Sequence, residues 1–262
     1  MRRQLAAGQV ACPVLLNAQQ TCQTSRIALV RAQASRFADT VALFQALGGG
    51  LVESGREYLT VSRMEKLLDG YRRFRTETWP AERARYEALA KWGQQPDTLI
   101  VACSDSRVDP QTVFGAVPGE MFVVRHVAGL VPTYQPDAGY HGTSAALEFG
   151  VRVLKVSTIV VLGHAQCGGV RAMVDGAPDE ARDFVQPWVS MAKAALQNLP
   201  TTGDILPQVE AAVVRLSLKN LLTFPWIQDA VTAGTLEIHG FRFDIHTGVL
   251  ARLDDGGLVP VI

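Results

Sequence analysis

The chain has 262 residues, of which 48% are hydrophobic and 19% are charged, and its 25 basic residues balance 25 acidic ones. A chain this hydrophobic is not largely disordered, and a neutral charge balance argues against a general nucleic-acid binder. No uninterrupted apolar run reaches the ~18 residues of a membrane-spanning helix. Four Cys are too few for a disulfide scaffold. The composition therefore indicates a globular protein, whose cysteines are available to bind a metal or to take part in catalysis.

The first 38 residues differ in composition from the rest, because they contain five Arg and no acidic residue. Three interpretations of the N-terminal extension, residues 1–61, stay open. It is a targeting segment, since such segments are rich in Arg and poor in acids, or a helix that docks a partner, or an upstream extension with Met64 as the true start. Cys12 and Cys22 are interpreted as incidental, because their spacing fits no zinc motif.

The docking-helix interpretation depends on apolar residues that are spaced alternately three and four apart, which places them on one helical face. These residues are Ile27, Val30, Ala34, Phe37, Val41 and Phe44. A run of three glycines, Gly48 to Gly50, follows them and indicates a break before the next segment.

Residues 62–262 alternate between helical and strand-like segments. Ser62 and Glu65 form a capping box at a helix start, and Pro80 suits the first turn of a second helix. Further helices are predicted at 142–155, 168–175, 182–197 and 206–232. Continuous apolar runs predict strands buried on both faces at 98–102, 121–124 and 158–162, and closing strands are predicted at 235–245 and 249–253.

This alternation of strands and helices predicts a single α/β domain over residues 62–262. Its central sheet is mostly parallel, with about four strands and a closing antiparallel edge strand, and helices flank it. The helices before the first strand form an N-terminal helical arm.

Chemically reactive side chains follow two of the predicted strands. Cys103 comes directly after the first strand, and His164 and Cys167 follow the third. Ligand sites of parallel sheets form at the carboxyl ends of the strands, so these residues are expected to meet. Two Cys and one His are a recognised set of catalytic zinc ligands that leaves a fourth position for water or substrate. Soft thiolates favour Zn²⁺ over magnesium or calcium, and zinc is therefore the predicted cofactor.

Asp105 and Arg107 lie on the same side of an extended segment, because they are two residues apart. Two arrangements stay open. Asp105 binds the metal as a fourth ligand and closes the site, or it pairs with Arg107 and leaves that position to water. Zinc lowers the pKa of a bound water to about 7, which supplies hydroxide at neutral pH. In the second arrangement the ionised carboxylate accepts a hydrogen bond from that hydroxide.

Four segments in this order resemble a β-class carbonic anhydrase: Cys103-Ser-Asp-Ser-Arg107, Phe122 to Ala128, Gly142 to Phe149 and Gly163-His-Ala-Gln-Cys-Gly-Gly169. The resemblance implies Cys103, His164 and Cys167 as zinc ligands. It implies Asp105 and Arg107 as the catalytic dyad. The implied reaction is the reversible hydration of carbon dioxide to bicarbonate and a proton. The implied assembly is a homodimer or homotetramer in which the helices before the first strand embrace the partner subunit.

The sequence departs from the family pattern at several positions. His126 stands where the family usually has Asn. Ile100 and Phe243 stand where one subclass has the Trp and the Tyr of an inhibitory bicarbonate pocket. We therefore expect that regulatory pocket to be absent or altered.

Two other functions stay open from the sequence. The same scaffold acts on carbonyl sulfide or carbon disulfide, or the chain is a non-catalytic, zinc-stabilised interaction module that docks through residues 1–60. The presence of Asp105 and Arg107 argues against the module, because a purely structural site needs no ligand that opens. We expect no nucleic-acid partner, no membrane span and a cytoplasmic location, with a targeting segment as the alternative.

Overall fold

The computed structural model describes residues 62–137, 139–197, 199 and 205–262, together with positions 20–21, 23–25, 27–29 and 31. Cys12, Cys22 and the three glycines lie outside the described residues. Of the proposed docking face only Ile27 is described, and it is helical and exposed. The division of the chain at residue 62 stays a prediction.

Six strands form one sheet in the order β2-β1-β3-β4-β5-β6. They are β1 Thr98–Cys103, β2 Met121–His126, β3 Thr158–His164, β4 Glu237–Phe243, β5 Leu250–Asp254 and β6 Gly257–Pro260. The first four are mutually parallel, and β5 and β6 are antiparallel. The predicted fold class is confirmed, with a second antiparallel edge strand in addition. That strand follows a tight turn in which the Asp254 carboxylate accepts a hydrogen bond from the backbone N–H of Gly256.

The helices occur where they were predicted, with two differences. They are α1 Arg63–Arg73, α2 Trp79–Trp92, α3 Pro110–Phe114, α4 Gly142–Glu148, α5 Gly168–Asp175, α6 Val185–Ser190, α7 Leu206–Leu221 and α8 Pro225–Thr232. A π-helical segment, Phe74–Thr78, joins α1 to α2, so the two expected helices run on without a loop. The short helix α3 was not predicted. Among the described residues, no helix is both long enough and apolar enough to cross a membrane.

The burial of strand β1 explains why its apolar residues form a continuous run and do not alternate with polar ones. Leu99 and Val101 pack into one hydrophobic cluster, whereas Ile100 and Ala102 pack into another, so both faces of the strand are buried. Phe243 joins the second cluster beside Ile100. Neither side chain has a polar group, and the absence of the regulatory pocket stays a prediction.

Strands β1 and β3 are adjacent and parallel, with Ala102 opposite Leu162. Both strands therefore end at the same edge of the sheet. Cys103 is the last residue of β1, and His164 is the last residue of β3. The compact unit Asp69–Ile262 contains the whole sheet and this edge.

Candidate metal centre

The three predicted ligands converge at this edge of the sheet. Ligand atoms of Cys103, His164 and Cys167 all lie within 4.8 Å of one another, and all three residues are buried. The Cys103 and Cys167 sulfurs are 3.8 Å apart. Cys103 is 61 positions from His164 and 64 from Cys167 in the sequence. Because β1 and β3 are neighbours, the two thiols and the imidazole nevertheless form one compact cluster.

The turn between His164 and Cys167 aims the second thiol at the first. Gln166 adopts a left-handed backbone conformation with φ +54°. Cys167 is then the N-cap residue of α5, with an extended backbone. The Cys103 sulfur and burial raise the pKa of the Cys167 thiol, and the nearby backbone N–H groups of Val170 and Gly169 lower it. A helix N-terminus favours a negative group, so this position suits a thiolate ligand.

The two sulfurs lie within hydrogen-bond distance of each other. The bond from the Cys167 thiol lowers the pKa of Cys103, and the same bond raises the pKa of Cys167. Cys103 is therefore the sulfur that most readily carries the negative charge. A thiolate is the form in which cysteine binds a metal.

His164 is oriented as a metal ligand requires. Its Nδ1 lies 2.9 Å from the backbone oxygen of Ala165, so Nδ1 carries the proton and donates. Its Nε2 is buried and has no hydrogen-bond partner among the described residues. A buried polar atom normally has a partner, and a second hydrogen bond that fixes the tautomer is typical of metal-bound histidines. The donor set of two sulfurs and one imidazole nitrogen fits zinc.

Asp105 pairs with Arg107 at the rim of this cluster. Arg107 donates to Asp105 from Nε at 2.9 Å and from Nη2 at 2.7 Å. These hydrogen bonds hold the pKa of the carboxyl well below its ordinary value. Oδ2 of Asp105 is 3.9 Å from Nε2 of His164, so the carboxylate lies next to the cluster while it is bound to Arg107. Its role as a fourth metal ligand stays a prediction.

Arg125 shapes the loop that connects Cys103 to α3, and sequence reasoning missed it. Its Nε donates to the backbone oxygen of Cys103 at 2.9 Å. Its Nη2 donates to the backbone oxygens of Asp105 at 2.7 Å and Val108 at 2.8 Å. One guanidinium thus fixes the backbone on both sides of the Asp105 side chain. No local pattern signals this role, because the three carbonyls are distant from Arg125 in sequence.

Glu210 is a second residue that sequence reasoning missed. It lies on α7 among apolar neighbours and is only 2% exposed. Its carboxylate accepts a hydrogen bond from the backbone N–H of Gln166 at 2.7 Å and another from Nε of Arg242 at 2.7 Å. A charged residue on a helix usually indicates a solvated face, so the pattern alone does not reveal it.

His126 is a departure from the family pattern that lies beside the cluster. It is opposite Cys103 in the sheet register. Burial lowers the pKa of His126. Its ring packs edge-on against Trp188, whose indole N–H donates to the backbone oxygen of Val127 at 2.8 Å. His126 thus packs against an aromatic side chain beside the site and is not one of the three clustered ligands.

The chain is similar in sequence to known proteins over much of its length. Residues 98–250 match the family model of the carbonic anhydrases. A carbonic anhydrase of Pseudomonas aeruginosa is 36% identical over 196 residues, which cover 73% of this chain and 88% of that protein. The chloroplastic β carbonic anhydrase 5 of Arabidopsis thaliana is 40% identical over 162 residues, which cover 59% of this chain and 53% of that protein.

Solved structures give the same result. The structure of the β-carbonic anhydrase CcaA matches with a TM-score of 0.70 and 30% identity, over 76% of this chain and all of that one. A tetrameric β-carbonic anhydrase of Sordaria macrospora matches with a TM-score of 0.63 and 27% identity, over 72% of this chain and 96% of that one. The family model, the sequence relatives and the fold agree, and the chain therefore belongs to the β-class carbonic anhydrases.

Proposed function

We propose that this carbonic anhydrase catalyses the reversible hydration of carbon dioxide to bicarbonate and a proton at a zinc ion held by Cys103, His164 and Cys167. The observation that carries the proposal is the convergence of two buried thiols and one unpartnered imidazole nitrogen within 4.8 Å. The Pseudomonas aeruginosa relative, which is named a carbonic anhydrase, supports the reaction.

When bound, zinc would supply a Lewis acid that makes a water molecule acidic enough to lose a proton near neutral pH. Two thiolates and one neutral imidazole offset the charge of the ion. The protein orients these ligands by the Nδ1 hydrogen bond of His164 and by the turn that places Cys167 at the N-terminus of α5. Such supporting hydrogen bonds fix the ligand geometry before any substrate arrives.

Asp105 acts on the attacking water in this proposal. Because Arg107 holds its pKa low, the carboxylate is ionised throughout the neutral range and can only accept hydrogen bonds. Oδ2, the oxygen closest to His164, accepts a hydrogen bond from the water and directs the oxygen lone pair of that water at the carbon of carbon dioxide. Arg107 orients the carboxylate and prevents it from taking the proton outright. Release of Asp105 from Arg107 would let it occupy the fourth position instead.

We also propose that the chain forms a homodimer or homotetramer through the arm that precedes β1. Four apolar residues of α1 follow the spacing of a single helical face, and none of them is buried: Met64 is 62% exposed, Leu67 69%, Leu68 41% and Tyr71 59%. An exposed apolar face of this size indicates an interaction surface. The tetrameric relatives from Sordaria macrospora support a self-assembly.

The test is a comparison of substrates on one sample of known zinc content. Hydration of carbon dioxide, of carbonyl sulfide and of carbon disulfide is measured side by side, with and without acetazolamide, which binds the Coccomyxa relative. We expect carbon dioxide to be the preferred substrate and acetazolamide to inhibit its hydration. A clear preference for either sulfur compound would show that this compound, rather than carbon dioxide, is the substrate.

A further inference from the structure

The backbone of Gln166 is held at both its N–H and its C=O group. Oε1 of Glu210 accepts its backbone N–H at 2.7 Å. Nη2 of Arg107 donates to its backbone oxygen at 3.1 Å. Gln166 immediately precedes Cys167, and Arg107 is the partner of Asp105. This single residue therefore connects the ligand turn to the dyad.

The backbone at Gln166 needs this support. A left-handed conformation at a residue other than glycine is unfavourable, and it persists only where the surroundings enforce it. The φ of Gln166 is +54°. The hydrogen bond to Glu210 satisfies the amide in that conformation, and the conformation in turn directs Cys167 towards Cys103.

The burial of Glu210 is expensive in free energy, because a charged carboxylate leaves water. Arg242, whose side chain is 12% exposed, offsets this cost by donating to Oε2. A buried ion pair contributes little net stability compared with apolar residues of the same size. Overall stability is therefore a weak reason for a carboxylate at this position, whereas its second oxygen has a specific use at the Gln166 amide.

We propose that Glu210 is a positioning residue for the metal centre. Its carboxylate fixes the backbone of Gln166 at the N–H group, and through that backbone it sets the direction of the Cys167 sulfur and the position of Arg107 against Asp105. Arg242 offsets the charge of the buried carboxylate. The inference rests on the proposed function only in that the cluster binds a metal.

The experiment compares three variants with a matched control. Glu210→Ala removes the acceptor for the Gln166 amide. Glu210→Gln keeps an oxygen that can accept this hydrogen bond but loses the charge. Arg242→Gln keeps the hydrogen bond to Gln166 and removes the ion pair. The control, Glu237→Gln, makes the same chemical change at an exposed carboxylate on β4 that pairs with His239.

One sample of each protein is loaded with cobalt, and a separate sample is loaded with zinc. Cobalt absorption reports the geometry of the thiolate ligands without any substrate, and kcat for carbon dioxide hydration is measured on the zinc forms. We expect Glu210→Ala to keep its metal, to shift the cobalt bands and to lose about 10–100-fold in kcat, the range typical of groups that support metal ligands. The cobalt bands and kcat of Glu210→Gln and of Arg242→Gln should both be closer to those of the control than the values of Glu210→Ala are.

Two results would overturn the proposal. One is a Glu210→Ala protein whose cobalt spectrum and kcat equal those of Glu237→Gln. The other is an Arg242→Gln protein with the full defect of Glu210→Ala, which would assign the effect to the ion pair. If Glu210→Ala does not fold, Glu210→Gln and Arg242→Gln decide: cobalt bands displaced further from the control in Glu210→Gln than in Arg242→Gln support the proposal, and displacements of equal size contradict it. Should the parent protein bind metal without hydrating carbon dioxide, the cobalt spectra still test the positioning role.

Discussion

The carboxylate of Asp105 accepts three hydrogen bonds from Arg107, one from its backbone N–H and two from its guanidinium. This arrangement lowers the pKa of Asp105 in the folded protein below the value of about 3.9 for an unfolded chain. The pairing therefore stabilises the fold above that pH, and the contribution is lost as the pH falls towards the folded pKa. Asp105 remains ionised over the whole range in which hydroxide forms at a zinc site.

Replacing Asp105 by Asn tests its role. The amide NH₂ group faces the Arg107 donors and cannot accept both guanidinium hydrogen bonds, and no carboxylate remains to orient the attacking water. We expect Asp105→Asn to retain about one zinc per chain and to lose roughly 10²–10⁴-fold in kcat/KM for carbon dioxide hydration. Zinc content and stopped-flow kinetics on the same sample measure both.

The pH dependence of this variant separates two origins of the titration. Because Asp105 does not titrate near neutrality, the rise of kcat/KM between about pH 6.5 and 9 belongs to the water and should persist in Asp105→Asn at a lower amplitude. A flat profile in the variant would assign the titration to Asp105. Unchanged kinetics would remove the dyad from the mechanism.

The ligand role of Cys167 predicts a coupled loss of metal and activity. Cys167→Ser replaces a thiolate by a hydroxyl, which is a poor ligand at neutral pH because it stays protonated. We expect zinc to fall far below one equivalent and hydration to disappear with it. Cys22→Ser is the matched control and should retain both. Stoichiometric zinc in Cys167→Ser, measured after dialysis, would rule out Cys167 as a ligand.

Two adjacent glycines at the start of α5 offer a steric test. A Cβ on Gly169 would lie 2.8 Å from Cβ of Ala128 and 2.8 Å from Cγ1 of Val127, whereas a Cβ on Gly168 meets nothing within 4 Å. We expect Gly169→Ala to lose about 1–3 kcal/mol of unfolding free energy through overpacking. Gly168→Ala should stay within about 0.5 kcal/mol of the parent protein. Denaturant unfolding measures the difference, and equal stabilities would show that α5 shifts without cost.

The exposed face of α1 predicts an effect on assembly. Leu67→Glu together with Tyr71→Glu places two charges in the centre of this apolar face, and desolvating them in an interface is unfavourable. We expect the double variant to form a smaller species than the parent protein in light scattering. A matched double substitution on the charged face of the same helix, Arg63→Glu with Lys66→Glu, should leave the assembly intact. An unchanged mass for the apolar-face variant would place the interface elsewhere.

Much of the site could be predicted because its ligands lie at or just beyond the ends of buried strands. Strands β1 and β3 each contain a continuous apolar run, Leu99 to Ala102 and Ile159 to Leu162, and such runs have few alternatives in a parallel sheet. Cys103 and His164 are the last residues of these strands, so the topology alone brings them together. The spacing of two residues allowed Asp105 to pair with Arg107, with a bond from Asp105 to the metal as the alternative.

The supporting residues could not be predicted, for a physical reason. Arg125 and Glu210 act on backbone groups that are remote in sequence, and both lie in elements whose local pattern gives no sign of it. Strand β6 could not be predicted either, because it has only four residues and ends in Pro260. An edge strand of this length is defined by its pairing with β5 rather than by its own composition.

Removal and return of the metal tests the central claim most directly. Zinc is stripped from the protein with a chelator and added back in measured steps, while carbon dioxide hydration is followed by stopped flow. We predict that hydration is lost with the metal and returns linearly until about one zinc is bound per chain. Hydration that survives in the stripped protein would contradict the account, and so would a fully loaded protein that is inactive throughout about pH 6.5–9.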